Sequence, residues 1–217
     1  MEARALMPSR GVFVTGTDTG IGKTVVSACL VKAWGGDYWK PMQTGLDDDE
    51  GDTATVARLT GVATERLHPP AYAFGPPLSP HVAASQAGIE IELARLELPV
   101  SPRPIVVEGA GGAMVPLNDR ALMIDLMVRL ALPVVIAAAD RLGAISQTLL
   151  TLEALRGRHL DVLGVILTGG PFADNADAIQ RHGRVEILAR LPWGEQVDAA
   201  TIDQWVKASP RLATLPL

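Results

Sequence analysis

The stretch that decides the fold reads GTDTGIGKT, from Gly16 to Thr24. It follows a β-branched run, Val12–Thr15, and precedes a helix-like stretch, Lys23–Trp34. A strand, a glycine-rich turn and a helix that opens with Lys-Thr are typical of a phosphate cradle. The glycines let backbone N–H groups point at phosphate oxygens, and the helix N-terminus adds partial positive charge. The pattern predicts that Lys23 reaches the β- and γ-phosphates and that the Thr24 hydroxyl ligates Mg²⁺.

The spacing of this glycine-rich loop (residues 16–24) departs from the usual Gly-x-x-x-x-Gly-Lys-Ser/Thr pattern. Counting back five from Gly22 gives Thr17, and Gly16 stands one residue too early. The alternative is an ordinary glycine-rich turn with an incidental Lys-Thr. The strand before it and the helix after it favour the phosphate cradle.

Strand-like and helix-like segments alternate along the chain. Apolar or β-branched runs predict strands at Val12–Thr15, Tyr38–Lys40, Ile105–Glu108, Val134–Ala139, Val162–Thr168 and Val185–Leu191. Helical spacing predicts helices at Lys23–Trp34, Asp52–Leu59, Leu122–Leu130, Ile145–Arg156 and Ala176–His182. The expected fold class is α/β, a single-domain P-loop NTPase-like fold whose mostly parallel sheet has helices on both faces. Residues 1–10 are predicted to be an N-terminal extension and residues 11–217 one domain, with an irregular surface excursion at Thr60–Leu78.

The composition of the chain limits the cellular locations and the binding partners that the sequence is compatible with. The 217 residues are 48% hydrophobic with a formal net charge of −5, which argues against nucleic acid or an anionic membrane as partner. The single cysteine, Cys29, excludes an internal disulfide framework and favours a reduced, cytoplasmic location. The longest apolar run, Leu130–Ala139, is shorter than the about 20 residues of a spanning helix. We therefore expect no membrane segment.

Three further polar positions fit a phosphoryl-transfer site. Lys40 follows the second predicted strand, where side chains enter the ligand crevice of α/β sheets; alone, it would be read as a solvated lysine before a turn. Asp52 ends an acidic run, most of which is read as a solvated loop, and opens the next helix. Glu108 ends a buried strand before a glycine-rich turn, and Mg²⁺ shared with Thr24 and Asp52 would offset the cost of burying it. The alternative is a glutamate that caps its own turn.

The fourth predicted strand is followed by a helix start, Asp140-Arg141-Leu142-Gly143-Ala144-Ile145-Ser146. Its free N–H groups are suited to an anion such as a substrate carboxylate. The four histidines have no metal-ligand spacing, and there is no cysteine cluster for zinc.

Taken together and in order, these motifs resemble the dethiobiotin synthetase family. The resemblance rests on Gly16–Thr24, KPMQTG at Lys40–Gly45, Ser79-Pro80-His81, VEGAGG at Val107–Gly112, Leu142-Gly143 and Leu191-Pro192-Trp193. That family carries the longer form of the loop, which explains the irregular spacing. The resemblance implies ATP-dependent carboxylation and ring closure of 7,8-diaminononanoate with CO₂, through a carbamate and a carbamic–phosphoric anhydride. The products would be dethiobiotin, ADP and phosphate.

The resemblance also implies residue roles. Lys23 and Lys40 would be catalytic, and Thr24, Asp52 and Glu108 would hold Mg²⁺. The nucleotide would be bound by Gly20, Ile21, Gly22, Lys23, Thr24, Val25, Asp52, Glu108, Gly109, Ala110, Gly111, Thr168, Gly169, Leu191, Pro192 and Trp193. The substrate would be bound by Thr19, Thr44, Pro80, Gly109, Ala110, Leu142, Gly143 and Ser146. In the family, the segment resembled by Leu142, Gly143 and the following helix start comes from the neighbouring subunit, so a homodimer is implied.

The chain departs from the family at three positions. Thr168 stands where members often carry an asparagine that reads adenine, so we expect a relaxed base preference in which CTP or GTP supports the reaction. Ser146 stands where asparagine can occur, and Gly20 where some members carry glutamate.

The main alternative is a partitioning or cell-positioning switch ATPase of the same architecture. Such proteins carry an additional lysine near the start of the loop, and residues Gly11–Gly22 contain none. A cobyrinate synthase would need an added glutaminase domain, for which the chain is too short. A non-enzymatic nucleotide-binding module would leave Lys40, Asp52 and Glu108 unexplained.

Overall fold

The computed structural model describes residues 10–170, 173–193 and 196–216, so residues 1–9 of the predicted extension lie outside the described part. The strands are β1 Gly11–Gly16, β2 Asp37–Trp39, β3 Met42–Gln43, β4 Leu67–His68, β5 Tyr72–Ala73, β6 Ile105–Gly112, β7 Val134–Ala139, β8 Val162–Thr168 and β9 Ile187–Leu191. The helices are α1 Lys23–Trp34, α2 Gly51–Thr60, α3 Pro80–Gln86, α4 Met123–Leu130, α5 Ala144–Gly157, α6 Ala173–Gly183 and α7 Ala199–Ala208. The predicted α/β fold is confirmed.

The main sheet has seven parallel strands in the order β4-β2-β6-β1-β7-β8-β9. Strand β1 is central, with Phe13 paired to Val107 of β6 and to Val134 of β7. Strands β3 and β5 form a separate two-stranded parallel sheet. No helix among the described residues has the length and apolar character to cross a bilayer.

Both faces of the sheet are covered, which explains the nearly continuous apolar runs of its strands. On one face, Val12 and Val14 of β1 belong to a core with α1, α2 and α7. On the other, Phe13 belongs to a core with α4, α5 and α6. Helix α1 follows β1 and α4 follows β6, so the chain leaves these neighbouring strands toward opposite faces. Such a point opens a crevice at the carboxyl ends of the strands, where α/β sheets bind ligands.

Some segments differ from the prediction. The residues after Glu108, expected to form a turn, continue β6 to Gly112, so Glu108 lies within the strand. The strand persists because Gly112 pairs with Gly16 after a register shift in which β6 carries two more residues than β1, and a side chain at Gly112 would lie 3.2 Å from the Gly16 carbonyl oxygen. Helix α7 was not predicted. The surface excursion contains β4, β5 and a 3₁₀ turn at Thr64–Arg66.

Candidate nucleotide and substrate site

The glycine-rich loop joins β1 to α1 at the crevice. Gly22 caps α1 with a φ of 87°, a left-handed conformation that favours glycine. The Nζ of Lys23 donates to the Asp18 carbonyl at 2.9 Å, so the lysine lies back along the loop. In the part of the chain that the structure describes, the N–H groups of Gly20, Ile21 and Gly22 make no hydrogen bond with the protein. These donors and the helix N-terminus suit a phosphate.

A polar cluster with three charged side chains lies beside the loop and joins four elements, β2, α2, β6 and α1. The Nζ of Lys40, at the exit of β2, lies 2.8 Å from both Asp52 Oδ2 and Glu108 Oε1. Thr24 Oγ1, in the first turn of α1, lies 2.5 Å from Asp52 Oδ1 and 3.1 Å from Glu108 Oε1. The structure therefore brings together four predicted site residues that are far apart in the sequence.

Glu108 is almost completely buried, with 1% of its surface exposed. Its partners among the described side chains include, besides Lys40, Tyr38, whose hydroxyl donates to Glu108 Oε2 at 2.9 Å; the predicted shared Mg²⁺ stays a prediction. Lys40 is 4% exposed and also donates to the Gly109 carbonyl at 3.2 Å, so it is not a solvated lysine. A buried carboxylate with a cation and a phenol hydroxyl as partners is electrostatically compensated.

The cluster shifts the titration of its members. Burial, aided by the charge of Lys40, lowers the pKa of Lys23 to about 8. Burial alone would lower the pKa of Lys40, but the Glu108 and Asp52 carboxylates outweigh it and leave that pKa raised. Burial alone would raise the pKa of Asp52, but Lys40 outweighs it and lowers that pKa. Lys40 therefore stays charged, and Lys23 is the lysine that loses its proton more easily.

The residues predicted to meet the nucleotide base fall into two groups. Thr168 and Leu191 are fully buried, whereas Trp193 is half exposed. The Thr168 hydroxyl donates to the Ile21 carbonyl at 2.6 Å, so it is engaged with the loop. Gly169 lies beside Trp193, because a side chain added at Gly169 would contact the indole at 3.9 Å.

A groove of about 410 Å³ opens next to the loop. Its walls are formed by Gly16, Thr17, Asp18, Thr19, Gly112, Ala113, Met114, Val115, Gln147, Leu150, Thr151 and Ala154. Thr19 is a predicted substrate residue, and a side chain at Gly111 would lie 3.6 Å from its hydroxyl. The end of β6 and the glycine-rich loop therefore meet at this groove.

The other predicted substrate residues are scattered. Gly143 caps α5 with a φ of 93°, Leu142 before it is 91% exposed, and Ser146 lies exposed in the first turn. Thr44 follows β3 and is half-buried, and Pro80 is buried at the start of α3. Neither is among the described residues that line the groove. A larger cavity of about 620 Å³ beside α3 contains none of the predicted residues, whereas the groove contains Thr19.

The sequence analysis missed several polar contacts. Tyr38 precedes Lys40 by two residues and so faces the same side of the strand, a signal that was present. The Gln43 side chain accepts a hydrogen bond from the Asp52 N–H at 3.0 Å. The Asn175 side chain donates to Asp140 at 2.9 Å. Arg141 pairs with Asp18 of the loop at 3.1 Å, and no local pattern indicates this long-range contact.

Similarity to a protein family and to solved structures agrees with the fold and the glycine-rich loop. A family model described as an AAA domain matches residues 10–201. A ParA family ATPase from Chlorobium tepidum TLS has a TM-score of 0.57 at 13% identity, covering 96% of each chain. The septum site-determining protein MinD complexed with Mg-ADP, from Pyrococcus horikoshii OT3, has a TM-score of 0.57 at 16% identity, covering 94% of each chain. In class, the chain has the fold of a P-loop ATPase.

An ATP-dependent dethiobiotin synthetase BioD from Paramagnetospirillum magneticum is 52% identical over 193 residues, which are 89% of this chain and 93% of the relative. This chain belongs to the family of ATP-dependent dethiobiotin synthetases, enzymes of the ligase class. A second synthetase, from Rhodopseudomonas palustris strain TIE-1, is 47% identical over 89% of this chain and 91% of its own length. A biotin biosynthesis bifunctional protein BioCD from Bordetella avium is 56% identical, and this chain spans 44% of its length.

Proposed function

We propose that the protein catalyses ATP-dependent carboxylation and ring closure of 7,8-diaminononanoate with CO₂, forming dethiobiotin, ADP and phosphate in biotin biosynthesis. The observation that carries this proposal is the convergence of two buried lysines, Lys23 and Lys40, with Thr24, Asp52 and Glu108 beside the groove. Family membership supplies the identity of the substrate.

The reaction has three steps. One amine of the diamine adds to CO₂, giving a carbamate and releasing a proton. A carbamate oxygen then attacks the γ-phosphorus of ATP, ADP leaves, and a mixed carbamic–phosphoric anhydride forms. The second amine attacks the carbonyl carbon of the anhydride, closes the ring and expels phosphate.

Phosphoryl transfer of this kind needs positioning and charge neutralisation more than covalent help from the protein. The free N–H groups of Gly20, Ile21 and Gly22 are suited to hold the phosphates, and Lys23 to neutralise the group in transfer. Lys40 emerges from a different strand, beside Gly109, so we assign it to the carbamate and the γ-phosphoryl group. Its raised pKa keeps it charged at neutral pH.

The oxygens near Thr24 fit Mg²⁺. In octahedral Mg²⁺ sites with oxygens at about 2.1 Å, adjacent ligand oxygens lie about 3.0 Å apart. The Thr24 hydroxyl lies 2.5 and 3.1 Å from oxygens of Asp52 and Glu108. The described residues contain no group of three or more His, Cys, Asp or Glu side chains able to hold a metal; one or two carboxylates with substrate phosphates suffice for Mg²⁺. When bound, Mg²⁺ neutralises phosphate charge.

The metal assignment is tested with Glu108→Gln. We expect the Mg²⁺ concentration for half-maximal activity to rise by about tenfold or more, because one anionic oxygen ligand is lost. Glu50→Gln is the matched control, since Glu50 forms an exposed pair with Arg58. An unchanged Mg²⁺ requirement in Glu108→Gln would remove Glu108 from the metal site.

The groove supports a substrate site at a subunit interface. It offers the hydroxyls of Thr19 and Thr151 among apolar walls, which suits an aliphatic chain with polar ends. Leu150 in its wall is 68% exposed and Met114 is 55% exposed. Exposed apolar side chains clustered around a groove favour coverage by another protein surface. We therefore propose a homodimer in which the start of α5 of one subunit binds the substrate carboxylate of the other.

The switch ATPase is the second candidate, because the structural likeness to ParA and MinD covers nearly the whole chain. At 13% and 16% identity that likeness shows the fold alone. The absence of a lysine from Gly11 to Gly22 argues against this candidate.

Purified protein with MgATP separates the two functions. For the synthetase we expect phosphate release only when both bicarbonate and the diamine are present. Phosphate release that is independent of the diamine and stimulated by DNA or lipid would favour the switch ATPase and contradict the proposal.

A further inference from the structure

Thr168, the last residue of β8, lies under the glycine-rich loop. It is fully buried, and its hydroxyl donates to the Ile21 carbonyl at 2.6 Å. The Ala138 carbonyl is the more distant neighbour of this hydroxyl, at 3.4 Å. The Thr168 methyl group packs against Gly22, where an added side chain would lie 3.2 Å from it. Ile21 and Gly22, two consecutive residues of the loop, therefore both contact the Thr168 side chain.

We propose that Thr168 is a positioning residue that holds the glycine-rich loop in its phosphate-binding form through the Ile21 carbonyl, and does not read the nucleotide base. This inference rests on the proposed function only in so far as the loop binds the triphosphate.

The geometry of the peptide bond connects Thr168 to the phosphates. In a trans peptide the C=O and the following N–H point in opposite directions. Because the Ile21 carbonyl points at Thr168, the Gly22 N–H points away from it. Among the described residues this N–H has no hydrogen-bond partner in the protein. When Thr168 fixes the Ile21 carbonyl, it therefore also fixes the direction of the Gly22 N–H, the donor directly before Lys23.

The same contact argues against base reading. A hydroxyl has one proton, and in Thr168 that proton is engaged at 2.6 Å with a buried carbonyl. To donate to a base, the side chain would have to release the Ile21 carbonyl and leave it unsatisfied, which carries a free-energy penalty. The hydroxyl oxygen keeps its acceptor capacity, but Thr168 is fully buried, so this oxygen is not presented to a ligand. Gly169 and the half-exposed Trp193 are better placed for a base, because they follow the buried ends of β8 and β9.

The test uses a ligand without a base. Dissociation constants of ATP, CTP and inorganic tripolyphosphate are measured by calorimetry for the parent protein and for Thr168→Val, which keeps the shape and removes the hydroxyl. We expect all three ligands to bind about tenfold more weakly, the equivalent of one hydrogen bond. Thr168→Ser, which keeps the hydroxyl, should return all three to within about twofold of the parent.

Thr148→Val is the matched control, because Thr148 is also fully buried and its hydroxyl has no partner among the described residues. It should bind all three ligands like the parent. If Thr168→Val does not fold, Thr168→Ala carries the same expectation.

Three results would overturn the inference. ATP binding weakened with tripolyphosphate binding unchanged would show that Thr168 reads the base. Parent-like binding of all three ligands by Thr168→Val, with normal turnover by the parent, would overturn this inference and leave the proposed function intact. A parent protein that binds neither ATP nor tripolyphosphate would overturn both.

Discussion

The two sides of the crevice are built differently. On the side that we propose binds the phosphates (the phosphate side), Lys23, Lys40 and Glu108 are each less than 10% exposed and are held by contacts within the chain. We call the side proposed for the diamine the substrate side. On the substrate side, Leu142 is 91% exposed and Leu150 is 68% exposed, and the groove is open. The side chains of the first region are held by contacts within the chain, whereas the walls of the second include strongly exposed apolar side chains.

This difference indicates that the two sides have separate roles, one in catalysis and the other in substrate recognition. Charges that stabilise phosphoryl transfer work best when buried and preorganised, so they are fixed by the fold of a single subunit. Recognition of the diamine depends in our proposal on a second copy. Changes on the phosphate side should therefore reduce catalysis in every state of assembly, and changes on the substrate side should act through assembly.

The largest effect is expected on the phosphate side, from Lys23→Ala. It removes a buried cation from the loop, and we expect kcat/KM to fall by about 10³-fold or more, together with weaker nucleotide binding. Steady-state kinetics and calorimetry measure both. Lys32→Ala, which removes a partly exposed lysine paired with Asp203, should change neither. Near-normal turnover by folded Lys23→Ala would remove the loop from the mechanism.

Lys40→Met distinguishes the role proposed for Lys40 from that of Lys23. We expect kcat to fall by about 10²–10³-fold while nucleotide affinity changes less than tenfold, because Lys40 is assigned to the reacting groups. The variant also leaves Asp52 and Glu108 without their cation, which lowers stability by about 3–5 kcal/mol.

The double variant Lys40→Met/Glu108→Gln removes most of that charge imbalance and serves as the folding control, with unfolding followed by circular dichroism. If Lys40→Met lost catalysis and nucleotide affinity equally, Lys40 would be a further phosphate ligand.

A smaller effect is expected on the substrate side, from Leu150→Glu. A charge in the groove wall should dissociate the proposed dimer and raise the KM for the diamine about tenfold or more, with nucleotide affinity unchanged. Sedimentation measures the dissociation of the dimer, and steady-state kinetics measure the KM for the diamine. Val100→Glu is the matched control, since Val100 is 81% exposed and does not line the groove. Weakened nucleotide binding in Leu150→Glu would contradict the proposal that the groove binds substrate and does not contribute to nucleotide binding.

The smallest effect is a pH dependence confined to the phosphate side. The pKa of Lys23 is lowered to about 8, so this lysine is charged below that pH and neutral above it. Affinity for metal-free ADP should therefore fall about tenfold per pH unit above 8, because binding must first restore the proton. Lys23→Arg, which stays charged, should abolish this slope. A parent affinity that is flat from pH 7 to 9.5 would contradict the assignment.

Local patterns were sufficient for much of the fold. The bounds of α1, β7 and β8 agree with the prediction, because their apolar runs end at glycine, proline or charged residues. Helix α7 was missed although its signals were present. Asp198 caps it by accepting a hydrogen bond from the Thr201 N–H at 2.8 Å.

The site was predictable as a set of residue types but not as a set of contacts. The sequence places Lys40 and Glu108 at or within predicted strands, but only tertiary structure makes β2 the neighbour of β6 and the lysine the partner of the carboxylate. For the same reason, Thr168 was expected at the base. Nothing within β8 indicates that its last side chain lies under a loop that begins about 150 residues earlier.

The central place of β1 has a consequence for how the chain is made. Its residues Gly11 and Phe13 pair with Ile105 and Val134, so β1 leaves the ribosome before its partners, which are made roughly a hundred residues later. At about 5–20 residues per second, that wait lasts on the order of 5–20 s. During it, the nascent chain displays an apolar strand with both edges unpaired, which is the form most prone to aggregation. Rapid synthesis and chaperone cover should therefore raise the yield of folded enzyme more than changes to its mature surface.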